Sequence, residues 1–214
     1  MENFFKVKGA EKMENFFKIR AEKQSHIIDA AFRVFGRQGY RKASLADIAQ
    51  EAGITKGMIT YYFGSKKNLY LYLVDICRTH LEKAVDDGIS PDNKGFFEKV
   101  KSTMDIQVSA IKEHPAFVSF AASLFCEADP EVAGGIEELL SSEYEKITRK
   151  LMTNVDAAQF KPGVDSQLVS RFTLWACEGF VNELYETALK GCIDDNVTAF
   201  YNCLDMMKAA FCNE

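Results

Sequence analysis

The chain has 214 residues, 47% of them apolar and 27% charged, which is enough apolar side chain for a packed core and argues against a disordered polypeptide. No run of 18 or more apolar residues exists and the N-terminus lacks a secretory pattern, so no membrane span is expected and the protein is expected to be cytoplasmic. The net charge of -5 hides an asymmetry: Met13 to Tyr72 holds 10 Lys and Arg against 5 Asp and Glu, whereas Leu73 to Glu214 holds 13 against 24. A basic head on an acidic body suits a polyanionic partner for the head alone.

Six cysteines, Cys77, Cys126, Cys177, Cys192, Cys203 and Cys212, lie in apolar surroundings with no CxxC pair and no His at zinc-ligand spacing. They are expected to be reduced core residues, with no metal and no cofactor. The alternative is a thiol sensor built on Cys203 and Cys212.

In chain order, Met1 to Lys6 reads MENFFK, and so does Met13 to Lys18. This extension, residues 1–20, is assigned no chemistry; Phe4, Phe5, Phe16 and Phe17 are expected to pack on the head. Ile27, Ile28, Ala31, Phe32, Val34 and Phe35 then recur at helical spacing and predict a helix that Gly36 and Gly39 bring to an end. Leu45, Ile48, Ala49 and Ala52 predict a second helix, and Met58, Ile59 and Tyr62 a third. Ser65 caps a fourth, which carries Leu69, Leu73, Ile76, Cys77 and Leu81 and ends before the loop at 86–93. Further helices are expected near 94–113, 115–128, 130–155, 165–189 and 196–211, with Pro115 and Pro130 in first-turn positions. The fold class is therefore all-α: a three-helix head at 21–68 and a larger helical body at 69–214, about nine helices in all.

The stretch with most chemical content is SLADIAQEAGITKGMITYYFGSKKNL, Ser44 to Leu69. Ser44 and Asp47 form a capping-box variant that starts one helix, Ala49 lets two helices cross closely, and Gly53 suits a turn that needs a positive φ. Thr55 caps the next helix, and Ile59 and Tyr62 bury its inner face. Residues 45–64 thus read as a helix-turn-helix. Thr55, Lys56, Gly57, Thr60 and Tyr61 are left pointing outward from the N-terminal end of the second helix, where side chains reach base edges and the helix dipole attracts phosphate. Lys66 lies in a first turn, where the dipole does not favour a cation; with Ser44 and Lys67 it is expected to hold backbone phosphates.

The run IIDAAFRVFGRQGYRKASLADIAQEAGITKGMITYYFGSKKNLY resembles the tetracycline-repressor (TetR) type of bacterial regulator over roughly Ala21 to Tyr72. The likeness lies in the Gly39-Tyr40 turn, Ile48-Ala49, Ala52-Gly53-Ile54, Lys56-Gly57, and Phe63 with Lys66 and Leu69. The resemblance implies a nine-helix fold, a homodimer formed by the last two helices, a small-molecule site in the body, and repression of a palindromic double-stranded operator that the ligand relieves. It also implies DNA contacts at Ser44, Thr55, Lys56, Gly57, Tyr61, Tyr62 and Lys66. The family often has Tyr where this chain has Thr60.

In the body, the apolar residues of 165–189 and 196–211 are expected to form the dimer interface. Met104, Gln107, Ile111, Phe117, Phe120, Tyr144, Phe172, Trp175 and Glu178, from an aromatic and Met-rich set that also holds Val108 and Phe125, are the candidates to line an effector pocket. Glu178 is expected to be a buried carboxylate in need of a partner, Arg171, a water or a cationic ligand. An enzyme is not expected, because His26, His80 and His114 are isolated and no phosphate loop or carboxylate pair is present. An activator, or a helical interaction module that never touches DNA, is the alternative to a repressor.

Overall fold

A computed structural model describes residues 13–89, 95–113, 115–124, 126–188 and 193–213. The first copy of the MENFFK repeat, Phe125 and Cys192 lie outside these residues, and Ile111 and Tyr144 outside the described side chains. Ten α-helices and one 3₁₀ turn make up the described chain: α1 Glu14–Phe17, α2 Ala21–Lys42, α3 Leu45–Glu51, α4 Lys56–Phe63, α5 Lys66–Gly88, α6 Phe96–Glu113, α7 Pro115–Leu124, α8 Ala133–Met152, the turn Ala157–Gln159, α9 Ser166–Ala188 and α10 Ile193–Phe211. The all-α expectation holds. The count exceeds nine because a four-residue helix stands at Glu14 and a 3₁₀ turn bridges α8 and α9. No helix among the described residues is long and apolar enough to cross a membrane.

The described residues fall into two compact units, one from 1–80 with 114–141 and one from 81–113 with 142–214. The first holds α1 to α4, most of α5, and α7. Its core is built from the α2 stripe Ile27, Ile28, Ala31, Phe32 and Phe35 with Ile48, Ile59, Leu69, Tyr70, Leu73 and Phe120, all essentially without exposed surface. Phe32 meets Phe117 and Phe120 at ring-centroid distances of 5.6 and 5.3 Å. Gly36 does not end α2. It lies inside the helix, where a Cβ would stand 2.6 Å from Ser119 Oγ and 2.9 Å from the Phe120 nitrogen, so only glycine lets α2 approach α7 this closely. The break comes at Gly39, with φ +68°.

In the second unit, α6, α9 and α10 bury Phe96, Val100, Met104, Val169, Leu174, Phe180, Phe200, Leu204 and Met207. The Phe180 and Phe200 rings stack at 3.9 Å. Gly88 packs on α6, where a Cβ would come within 2.8 Å of the Thr103 backbone. Lys99 is buried and donates its ammonium to the Thr153 carbonyl near the end of α8; burial lowers its pKa. Asp165 caps α9 by accepting from the amides of Gln167 and Leu168 at 2.8 and 3.2 Å. The residues after α10 are tied back to the 3₁₀ turn, the Asn213 amide donating to the Gln159 carbonyl at 2.8 Å.

Candidate nucleic-acid interface

Local hydrogen bonding sets each end of the helix-turn-helix. Ser44 is the N-cap of α3: its Oγ accepts from the Asp47 amide at 3.2 Å, and Asp47 Oδ2 accepts from the Ser44 amide at 3.1 Å. Both orphan donors of the first turn are satisfied reciprocally. After α3 the Ile54 amide donates to the Ala49 carbonyl at 2.9 Å, and Gly53 takes φ +63° with no atom near where a Cβ would be. It is the backbone angle that calls for glycine here. Thr55 then caps α4, its Oγ1 accepting from the Met58 amide at 3.3 Å.

α4 divides into two faces. Ile59, Tyr62 and Phe63 are buried, and Thr55, Lys56, Gly57, Thr60 and Tyr61 are exposed, Tyr61 by 66%. The residues read from the sequence as outward are therefore exposed, with Thr55, Lys56 and Gly57 at the N-terminal end of the helix, where the dipole gives a partial positive charge, and Thr60 and Tyr61 in its second half. Thr60 Oγ1 donates to the Lys56 carbonyl of its own helix at 3.1 Å. A Cβ added to Gly57 would meet only Thr55 Oγ1, at 3.9 Å, so nothing within the chain demands glycine there. Tyr62 differs from the outward residues: its ring is buried beside Tyr61 and Phe63, which suits it to supporting the helix.

Lys66 is half-buried and turned inward. Its ammonium donates to the carbonyls of Tyr40 and Ala43 at 2.9 and 3.2 Å and lies 4.2 Å from the centre of the Tyr40 ring. The dipole mismatch noticed in the sequence is thus resolved by carbonyls at the end of α2, groups that attract a cation. Glu127 holds the other side of the same turn, its Oε2 accepting from the Tyr40 amide at 2.8 Å. Two further contacts escaped the sequence reading. Glu51 on α3 accepts from Arg33 at 2.8 Å and Arg37 at 3.1 Å, both on α2, and these guanidinium bonds, Arg33 first, hold its carboxyl below the usual range. The i, i+4 spacing of the two arginines was the available signal. Arg41, Lys42 and Lys67 are exposed and add positive charge to the head.

The candidates for a pocket lining are distributed over both units and differ in burial. Phe117 and Phe120 are buried in the first unit; Met104 is buried and Gln107 half-buried in the second. Phe172 and Trp175 are 51% and 55% exposed, and Glu178 is exposed too, which corrects the expectation of a buried carboxylate. The reason is that α9 is apolar on two faces. Val169, Leu174, Cys177 and Phe180 face the core, while Leu168, Phe172 and Trp175 form a second stripe at i, i+4 and i+7 that is left outside. Arg171 lies 5.4 Å from the Trp175 ring on that stripe. Of the described cysteines, Cys77, Cys177 and Cys212 are buried and Cys126 and Cys203 exposed. Burial pushes the Cys177 thiol up to about 12 and raises Cys212 as well, opposite to the shift that activates a sensor thiol. No group of three or more His, Cys, Asp or Glu able to hold a metal occurs among the described residues.

Residues 27–73 match the family of bacterial regulatory proteins, tetR family. Over 173 residues the chain is 22% identical to the uncharacterised HTH-type transcriptional regulator YfiR of Bacillus subtilis, covering 77% of this chain and 81% of that protein. Its fold is similar to that of a TetR family transcriptional regulator from Chloroflexus aurantiacus, with a TM-score of 0.70 at 18% identity over 94% of this chain and 98% of the other. It is also similar to FadR of Bacillus subtilis, solved in complex with stearoyl-CoA, with a TM-score of 0.63 at 20% identity over 86% and 96%. The capped helix-turn-helix, its place on an all-helical chain and the match across 27–73 agree in what the chain resembles: over these residues its head is similar to that of the bacterial regulatory proteins, tetR family.

Proposed function

We propose that this chain is a transcriptional repressor that reads a palindromic operator in duplex DNA as a homodimer and is released by a small-molecule effector. The observation that carries the reading is the division of α4: its inner face is buried, and Thr55, Lys56, Gly57, Thr60 and Tyr61 stand exposed. A helix presented this way fits a major groove, with side chains on base edges and amides toward phosphate. Ser44 and Lys66 act one step back, as the cap of α3 and as the clamp on the turn before it, and Tyr62 acts from beneath. The excess of Lys and Arg between Met13 and Tyr72 supplies the electrostatic attraction, while the acidic remainder turns away from DNA.

In this reading residues 21–68 make the DNA contacts and residues 69–214 the dimer and effector contacts. The exposed stripe Leu168, Phe172 and Trp175 on α9 and Met206 on α10 supports self-association, since contiguous exposed apolar residues mark interaction surfaces. FadR's complex with stearoyl-CoA supports the idea that a body of this architecture accepts a small molecule. Effector binding would change the separation of the two recognition helices, which must be about 34 Å to meet successive major grooves.

The test is selection of duplexes from a random pool by the full chain, followed by a salt titration on the enriched sequence. An inverted repeat with half-sites about one helical turn apart, and affinity falling steeply with salt, is the expected result. A folded protein that enriches no sequence at low salt would refute it.

A further inference from the structure

A side chain from outside the helix-turn-helix is buried against the back of the recognition helix. α1 is a single turn, and its Phe16 has no exposed surface. The Phe16 ring centre lies 4.8 Å from that of Phe63, 5.9 Å from Tyr62 and 6.2 Å from Tyr72. Phe63 and Tyr62 are the last residues of α4, and Tyr72 is on α5. Phe16 therefore fills the angle between α4 and α5, on the side of α4 away from Thr55, Lys56 and Thr60. Phe17 adds a second ring, 5.5 Å from Phe16 and 6.3 Å from Tyr72.

The wedge is itself anchored. Gln24 on α2 donates its side-chain amide to the Ile19 carbonyl at 2.8 Å and to the Phe17 carbonyl at 3.4 Å, so the loop leaving α1 is fixed to the first core helix. α4 has only eight residues, too few to hold a helix by its own hydrogen bonds, and its orientation is set by what its inner face packs on. At the N-terminal half that packing comes from Ile59. At the C-terminal half it comes from the aromatic cluster around Phe16, whose edge-to-face contacts fix ring angles as well as distance.

We propose that Phe16 is a positioning residue for DNA reading: α1 is a wedge that sets the tilt of α4, and the second copy of the MENFFK repeat supplies it. This rests on the DNA-binding function proposed above. Phe4 and Phe5 of the first copy have the same sequence surroundings and serve as an internal control.

The experiment compares the full-length wild type, Phe16→Ala, Phe16→Leu, and the double change Phe4→Ala with Phe5→Ala. Each is titrated against the duplex enriched by the wild type and against a random-sequence duplex, and amide hydrogen exchange is followed across 56–63 and 200–211. Phe16→Ala is expected to lose about tenfold in affinity for the enriched duplex while staying within about twofold of wild type on the random one. Phe16→Leu keeps most of the affinity, the double change behaves as wild type, and exchange rises across 56–63 but not across 200–211. If Phe16→Ala does not fold, the smaller loss with Phe16→Leu reads in the same direction. Wild-type binding of the enriched duplex by a folded Phe16→Ala, equal losses on both duplexes, or a loss carried by the Phe4 and Phe5 change would overturn the proposal. Unchanged exchange at 56–63 removes the wedge whatever the DNA does. A wild type that enriches no duplex, with exchange at 56–63 still raised by Phe16→Ala, brings down the DNA reading and leaves the wedge standing.

Discussion

Gly57→Ala separates what the fold needs from what the partner needs. The position is helical and exposed, and a Cβ there would touch only Thr55 Oγ1, at 3.9 Å. Glycine in a helix interior costs about 1 kcal/mol relative to alanine; in the first turn of α4 about half of that is expected, so the change stabilises the protein by about 0.5 kcal/mol. On DNA the sign reverses. If the backbone at Gly57 lies against a groove wall, the methyl pushes the helix outward and weakens the contacts of Thr55, Lys56 and Tyr61 together, a loss of at least about tenfold, or 1.4 kcal/mol. Guanidinium unfolding followed by circular dichroism reads the first effect, and fluorescence anisotropy on the enriched duplex reads the second. A variant that is more stable and binds the duplex as tightly as wild type would refute the placement of Gly57 at the interface. A variant that is less stable would refute the open surroundings described for it.

Lys66→Met removes the donor to the Tyr40 and Ala43 carbonyls and should lower the unfolding free energy by about 1–2 kcal/mol; Lys67→Met, on an exposed side chain, should stay within about 0.5 kcal/mol of wild type in the same denaturation series. The Arg33 and Arg37 bonds lower the folded-state pKa of Glu51, so its stabilisation is present above the unfolded carboxylate pKa and is lost as pH falls through the folded value. Glu51→Gln should therefore be less stable than wild type at neutral pH and converge with it in acid, and melting curves that stay apart in acid would contradict this. Trp175→Glu places a charge on the exposed α9 stripe; in sedimentation velocity the proposed dimer is expected for the wild type and the monomer mass for the variant, and a variant that stays dimeric would move the interface elsewhere.

The parts of the head that were legible in the sequence are those whose physics is local. The caps at Ser44 and Thr55 reach only three residues ahead, and the turn at Gly53 depends on one backbone angle, so residue type and spacing suffice to find them. The carbonyls that Lys66 bonds are 23 and 26 residues upstream, and no spacing rule links a first-turn lysine to a distant helix end. For Tyr62 the helical period is compatible with both inner face and DNA contact, and the structure adds that its ring is buried. The same ambiguity runs through the body. The sequence does not say which way Phe172 and Trp175 face, because an apolar stripe looks alike whether it faces a cavity, a core or open solvent. Gly36 was taken for a helix end, since sequence alone does not reveal a neighbouring backbone 2.9 Å from a missing Cβ.

That near contact at Gly36 limits how the head can be moved between proteins. The α2 residues Phe32 and Phe35 are sealed by Phe117 and Phe120 of α7, which lie well beyond the helix-turn-helix in the chain. A graft cut just after the motif would leave that seam open, exposing a row of phenylalanines to water and to other chains. A chimaera meant to carry this DNA specificity onto a different sensor therefore has to bring Pro115–Leu124 along, or borrow a recipient helix with the same shallow profile opposite Gly36. The transplantable module is discontinuous in sequence although it is contiguous in space.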